Sequence, residues 1–337
     1  MKDIRKISII GAGTWGTALS MMASASGKEV VLWTPDEEQS ADLANTRRNR
    51  MLKNATELLA ANIYPTSDLS RALDAELMLV VVPSVAMRSV AELLNKSGLS
   101  DSTVLVSCTK GIEQKTHKRM TQILEECLPN HKIGALSGPN HAEDVCMGLP
   151  SATLVGFDEP EYADWVQHVF KNDKNNFRVY TSNDVTSMEL GGTIKNVFAI
   201  GAGLCTGLKL GDNALAALVT RGLAEMTRIG VEYGGKAETF MGLSGVGDLV
   251  VTCYSSHSRN QRVGMSLAQG YTLEQTLASV KTVAEGVPNT LSTYEMSRKA
   301  GVRTPLIDAV YAVLYEGKAP LEALVELMSR DPRPEND

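Results

Sequence analysis

Three glycines near the amino terminus constrain this chain more than any other feature. An apolar run at residues 7–10 meets Gly11-Ala12-Gly13-Thr14-Trp15-Gly16, and residues 17–25 then read as a helix. Few folds accommodate a strand, a tight glycine turn and a helix in direct succession. Gly11 permits the turn, Gly13 lets a pyrophosphate approach the backbone, and Gly16 lets the helix pack closely on the sheet. The helix start offers unpaired N–H groups to phosphate oxygens. A second apolar run at 30–33 completes a β-α-β unit, so the segment is predicted to bind a dinucleotide rather than only to join a strand to a helix.

The rest of the first half continues this alternation. Short aliphatic runs at 77–82, 104–108 and 133–136 predict buried strands of a parallel sheet, with 14–26 and 115–128 as crossover helices. Further strands are expected at 152–155 and 177–180, on either side of a helix over 161–170. After Asp184 the texture changes. Leu215, Leu218, Val219, Leu223, Met226 and Ile229 recur at helical spacing, as do Leu306, Val310, Val313 and Leu314. Thr272 and Pro305 mark helix starts, and the proline-bearing tail 330–337 is expected to fray. The fold class is therefore α/β: a Rossmann-like parallel-sheet domain over 1–184 followed by an all-α domain over 185–337.

Composition excludes several functions. With 337 residues, a formal charge of −6, 43% hydrophobic and 21% charged residues, the chain has the make-up of a soluble globular protein. The acidic balance argues against nucleic acid or an anionic membrane as partner, although a few local cations can still hold an anionic small molecule. Five scattered cysteines without CxxC spacing fit a reducing, cytoplasmic setting and offer no metal site. The charged start at 1–6 runs straight into a strand, so no signal peptide is expected, and no apolar run is long enough for a membrane helix.

Cofactor preference turns on the end of the second strand. The stretch Trp33-Thr34-Pro35-Asp36-Glu37-Glu38 carries acids and no Arg or Lys. Asp36 could take the ribose hydroxyls of NAD, or it could cap the following helix. Arg47, Arg48 or Lys28 could reach in from elsewhere to meet a 2′-phosphate.

Oxidation of an alcohol by a nicotinamide requires a group to accept the hydroxyl proton as the hydride leaves. His117, His131 and His168 fall in expected surface helices or turns, whereas His141 and His257 lie in unusual loops. Lys195, in Gly191-Gly192-Thr193-Ile194-Lys195-Asn196, stands among glycines and apolar residues, where a lysine either has a task or snorkels to solvent. A glycine-rich loop at 242–247 ends in Asp248. The stretch from Tyr254 to Arg262 then gathers hydroxyl, amide and guanidinium donors. Ser258, Arg259 and Asn260 suit a phosphate, and Ser258 equally suits a helix cap.

Taken together, the chain resembles the bacterial-type NAD(P)-dependent glycerol-3-phosphate dehydrogenases. The matching pieces are residues 11–18, Val81-Val82-Pro83-Ser84, Thr109-Lys110-Gly111, Ser137-Gly138-Pro139 and 191–196, then 220–226, 245–248, Ser258-Arg259-Asn260 and Val283-Ala284-Glu285-Gly286. The resemblance implies reversible hydride transfer between NAD(P)H and dihydroxyacetone phosphate, supplying glycerol 3-phosphate for phospholipid synthesis. It also implies Lys195 as proton acceptor and a homodimeric assembly. Lys110, Gly138, Asn140, Lys195, Asp248, Ser258, Arg259 and Asn260 match substrate-holding positions. Gly11, Gly13, Thr14, Trp15, Gly16, Asp36, Lys110, Ala142, Arg259, Val283 and Glu285 stand as the cofactor-binding set. On this mapping burial and repulsion from Lys110 would lower the Lys195 pKa, while Asp248 would orient its ammonium and raise it.

Two departures stand out. The family more often has Ser or Thr followed by Phe after Ser-Gly-Pro, where this chain has Asn140-His141. Many members carry Arg or His where this chain has Pro35 or Asp36, which points to dual cofactor use or a preference for NADH. A neighbouring dehydrogenase of 3-hydroxy or sugar acids would not need the Ser258-Arg259-Asn260 cluster, and a non-catalytic dinucleotide sensor could dispense with Lys195 and Asp248.

Overall fold

The computed structural model describes residues 3–52, 58–171, 176–255, 257–279 and 284–335. Eight strands form a single sheet: β1 (Lys6–Ile10), β2 (Glu29–Trp33), β3 (Ile63–Thr66), β4 (Leu77–Val80), β5 (Val104–Ser107), β6 (Ile133–Ser137), β7 (Ser151–Gly156) and β8 (Phe177–Ser182). Their order is β3-β2-β1-β4-β5-β6-β7-β8. Every pairing is parallel except β6 with β7. The chain steps outward from β1 in one direction through β2 and β3, then returns beside β1 as β4. The carboxyl ends of β1 and β4 therefore flank the crevice where such sheets bind ligands.

Both sheet faces are covered, and the period of two shows in the packing. Ile7, Ile9, Leu77 and Leu79 join the core beneath the helix Thr14–Ser24, whereas Ile10, Met78 and Val80 pack with Met87, Ala91, Ile123 and Leu124 on the other face.

One local expectation needs correction, and two elements go beyond what the sequence reading named. Residues 115–128 do not form one helix, because it runs only over Met120–Cys127. Lys115 and His117 adopt φ of 71° and 57° in a turn closed by an Ile112–Arg119 bridge. His117 is pulled out of any helix by a 2.8 Å contact between its Nε2 and Glu295 in the helical half. Strand β3 went unforeseen because Pro65 lacks an N–H. It is tolerated there because β3 lies at the sheet edge. The helix bearing Lys195 starts earlier than the glycines at 191 and 192 suggest, spanning Val185–Gly207. Those glycines permit contact rather than a break. A Cβ on Gly191 would lie 2.6 Å from the Ser244 carbonyl oxygen, and one on Gly192 would lie 2.6 Å from Ser137 Oγ.

The helix Val185–Gly207 is buried almost throughout and forms the axis of the second half. Asp184 caps it, accepting from Ser187 N at 3.1 Å, and its other oxygen accepts from Lys236 N at 3.1 Å and Thr239 Oγ1 at 2.6 Å. The helices Asp212–Glu232, Asp248–Tyr254, Arg259–Ala268, Gly286–Lys299 and Pro305–Tyr315 surround it. Glu189 ties this axis to the sheet half, accepting from Thr121 N at 2.9 Å, Thr121 Oγ1 at 2.6 Å and Arg119 Nη1 at 2.5 Å. Among the described residues the tail after Met328 carries no regular element, although Arg221 Nη1 donates to the Glu335 carbonyl at 2.6 Å. Among the described residues no helix is long and apolar enough to cross a membrane.

Candidate active site

The glycine turn lies at the carboxyl end of β1. Gly11 has φ of +115°, and a Cβ there would meet the Val81 carbonyl oxygen at 2.2 Å. A Cβ on Gly16 would meet the Gly11 oxygen at 1.9 Å, so both positions are closed by main chain. Gly13 is different. A Cβ there would find nothing within 4 Å, and Gly13 begins the helix Thr14–Ser24 without any side-chain cap. Open space over unpaired helix N–H groups is what a dinucleotide pyrophosphate requires, so the residues fit that group. Two side chains missed from the sequence brace the turn. Gln39 Nε2 and Asn49 Nδ2 donate to the Ala12 carbonyl at 3.0 and 3.1 Å. Nothing in the linear sequence marks them, since both lie well beyond the glycines.

Thr14 and Trp15 open the first helical turn, with Trp15 half-buried edge-on to Phe177 at 6.5 Å between ring centroids. Asp36 caps the helix Glu37–Thr46 by accepting from Gln39 N at 2.9 Å, and it remains exposed at the end of β2. The Arg47 guanidinium is tied to the Leu59, Ala60 and Ile63 carbonyls, and Lys28 pairs with Asp3 at 3.4 Å. Glu285 bridges the halves of the molecule, accepting from Ser84 N at 2.9 Å and Ser84 Oγ at 2.6 Å. Ala142 is buried at the start of the helix Ala142–Cys146, and Val283 lies outside the described residues.

A short chain of contacts leads from this turn to the lysines. Val81 abuts Gly11, and Thr109 Oγ1 donates to the Val82 carbonyl at 2.7 Å. Lys110 follows directly. Its ammonium donates to the Gly138 carbonyl at 2.9 Å and to Asp248 Oδ2 at 2.6 Å. Lys195 Nζ donates to Asp248 Oδ1 at 2.5 Å and to Thr252 Oγ1 at 2.6 Å. Asp248 thus joins two lysines, one from each half of the molecule, with its own side chain 1% exposed.

Two cations on one buried anion leave a local excess of positive charge suited to an anionic ligand, within a chain of net charge −6. Burial pushes the Lys195 ammonium down from its ordinary value to about 8. The Asp248 carboxylate opposes that shift and the Lys110 charge reinforces it. An ammonium has three protons, and Lys195 commits two to Asp248 and Thr252, so a third is available to a substrate oxygen. Thr252 went unnoticed in the sequence, although it stands four residues after Asp248 and therefore on the same helix face.

The phosphate-suited cluster is less uniform than its sequence. Ser258 caps the helix Arg259–Ala268, accepting from Gln261 N at 3.2 Å. Asn260 braces three helices, with Nδ2 donating to Asn196 Oδ1 at 2.9 Å and Oδ1 accepting from Gly286 N at 3.0 Å. Arg259 is exposed at the first position of its helix, and its guanidinium has no ion pair or hydrogen bond among the described residues. Gly138 and Asn140 form the turn after β6, where Asn140 Nδ2 donates to the Ala152 carbonyl at 2.9 Å. His131 and His168 bond to backbone carbonyls, whereas the rings of His141 and His257 lie 6.2 Å apart.

A dinucleotide cradle joined to a buried lysine–aspartate cluster defines a nicotinamide-dependent dehydrogenase. The profile described as NAD-dependent glycerol-3-phosphate dehydrogenase N-terminus matches residues 6–163, and its C-terminus counterpart matches 184–325. The chain belongs to that family. It is 42% identical over 332 residues to the glycerol-3-phosphate dehydrogenase [NAD(P)+] of Clostridium perfringens strain 13, covering 98% of this chain and 99% of the relative. The enzyme of the same name from Moorella thermoacetica is 44% identical over 326 residues, covering 96% of each chain. The crystal structure of glycerol-3-phosphate dehydrogenase from Coxiella burnetii superposes with a TM-score of 0.91 at 32% identity, covering 97% of this chain and 99% of that one.

Proposed function

We propose that this chain interconverts glycerol 3-phosphate and dihydroxyacetone phosphate with NAD(P), and that Lys195 moves the proton. The observation that carries this reading is the buried Lys110–Asp248–Lys195 cluster beside the glycine turn. The bound nicotinamide supplies the hydride acceptor or donor. In the oxidation direction the C2 hydroxyl gives its proton to neutral Lys195 as the C2–H bond breaks and the carbonyl forms. In reduction the Lys195 ammonium returns that proton to the oxygen. A free lysine titrates near ~10.4, too high for this task. At about 8, Lys195 is within reach of both forms near neutrality.

Asp248 and Thr252 hold the ammonium in place. On this reading Lys110 meets both substrate and cofactor, with Gly138 and Asn140 forming the wall beside it, supported by its hydrogen bond to the Gly138 carbonyl. Arg259 is the bidentate grip for the phosphate, with Ser258 and Asn260 fixing the helix that carries it. Gly11, Gly13, Thr14, Trp15 and Gly16 receive the dinucleotide, with Ala142 and Glu285 completing the wall. Asp36 at the end of β2, with Arg47 engaged elsewhere, supports NADH at least as well as NADPH.

The division between domains is placed at 184/185, supported by Asp184 acting as the cap of the axial helix. A homodimer in the cytoplasm completes the reading, supported by the family resemblance and, for the compartment, by five cysteines scattered without CxxC spacing. Glycerol 3-phosphate is the backbone of phospholipids, so reduction of dihydroxyacetone phosphate is the direction that would supply lipid synthesis.

The test is oxidation of NADH and NADPH, followed by loss of reduced-nicotinamide absorbance, on addition of dihydroxyacetone phosphate. Turnover is expected with at least one cofactor. Folded protein that turns over neither would instead point to a neighbouring dehydrogenase or a sensor.

A further inference from the structure

The end of β6 and the turn after it hold three buried polar atoms without a hydrogen-bond partner among the described residues: Ser137 Oγ, Asn140 Oδ1 and His141 Nε2. They lie beside the Gly138 carbonyl that receives Lys110. Buried polar atoms are almost always paired, so three within five residues of an ionic cluster mark a wall shaped for a ligand. His141 is the member that departs from the family's commoner Phe. It begins the helix Ala142–Cys146 without capping it, so the ring has no structural hydrogen bond to that helix.

We propose that His141 contacts the substrate, donating a hydrogen bond from Nε2 to the phosphate of the bound triose, and so strengthens selection for phosphorylated over unphosphorylated ketones. The inference rests on the reading of the preceding subsection. Lys195 already serves the C2 oxygen. The His141 ring lies 6.2 Å from that of His257, the residue immediately before Ser258 and Arg259. His141 is thus near both the lysine cluster and the segment that carries Arg259.

The charged groups facing the ring are Lys195, Lys110, Asp248 and Glu143. Burial and the Lys195 ammonium hold its pKa below the ordinary histidine value, and Asp248 opposes them. The ring is therefore neutral in the free protein. A neutral N–H donor serves a phosphate dianion without adding a third buried cation to the cluster. A phenylalanine at this position fills the same space and donates nothing.

The experiment compares dihydroxyacetone phosphate with unphosphorylated dihydroxyacetone as substrates for the full chain, its His141→Phe variant and its His141→Gln variant. For H141F, kcat/KM on the phosphorylated ketone is expected to fall about tenfold or more through KM, the range of a lost hydrogen bond to a charged group. The value on dihydroxyacetone and the KM for the cofactor should remain unchanged. H141Q keeps an amide donor near the Nε2 position and should recover most of the loss. His141→Asn, too short to reach, replaces H141F if that variant does not fold.

Equal losses on both substrates, or no loss on the phosphorylated one, overturn the inference. A wild-type chain inactive on dihydroxyacetone phosphate overturns the proposed function along with it. Normal wild-type turnover with an unaffected H141F overturns this inference alone.

Discussion

At Gly13 the missing side chain leaves open space for a ligand, whereas Lys195 and Asp248 are packed out of water with Lys110 mostly buried beside them. The glycine turn achieves its effect by omission, since absent side chains expose N–H groups that any diphosphate can use. The lysine cluster works by commitment. Removing charges from water is costly unless each is paired and hydrogen-bonded, and here one carboxylate uses both oxygens on two lysines. The first half of the site confers general affinity for a cofactor and the second sets the chemistry. Damage to one should therefore leave the other readable.

Lys195→Met should give the largest effect. Turnover is expected to fall by roughly 10²–10⁴, the usual contribution of a positioned acid–base group. Asp248 keeps Lys110 as a partner, so the fold and the cofactor dissociation constant should survive. Steady-state rates beside a fluorescence titration of NADH would check both halves of that statement.

The glycines provide the converse. Gly16→Ala forces a methyl group against the Gly11 carbonyl and should destabilise the fold by about 1–3 kcal/mol, visible as a lower melting temperature. Gly13→Ala adds its methyl to open space, so stability should hold while cofactor affinity drops about tenfold, or about 1.4 kcal/mol. If G13A bound cofactor normally, the assignment of the pyrophosphate to that space would fail.

The smallest effect is expected at Asp184, which caps the axial helix and touches neither half of the site. Asp184→Ala should cost about 1–2 kcal/mol in chemical denaturation with kcat unchanged. A fall in kcat instead would show that the axis transmits strain to Lys195.

This contrast also explains what could be read from the sequence. The glycine turn is contiguous, and each of its residues has a local reason to be there, so it announces itself in six positions. The strands β1, β2, β4 and β5 follow from aliphatic runs buried on both faces. The edge strand β3 was obscured by Pro65, and the early start of the axial helix by glycines that serve close packing rather than a turn.

Lys195 was visible as a charge among apolar neighbours. Its partnership with Asp248 spans 53 residues, and that of Lys110 with Asp248 spans 138, separations that residue spacing cannot bridge. The resemblance to a family put Lys195 with Asp248 as a candidate pair, whereas the Lys110–Asp248 contact emerges only in the folded chain. Thr252, Gln39 and Asn49 act through contacts made only once the chain has folded, so no local pattern marked them.

The central claim is that Asp248 tunes Lys195 as the proton-transferring group. The most direct test is the pH dependence of kcat/KM for glycerol 3-phosphate oxidation in the wild type and in Asp248→Asn. Oxidation needs neutral Lys195, so the wild-type value should rise with pH through an inflection near about 8. Because the carboxylate favours the ammonium, its loss should move the inflection to lower pH. An inflection that stays in place in D248N, or that persists in the residual activity of K195M, would contradict the account.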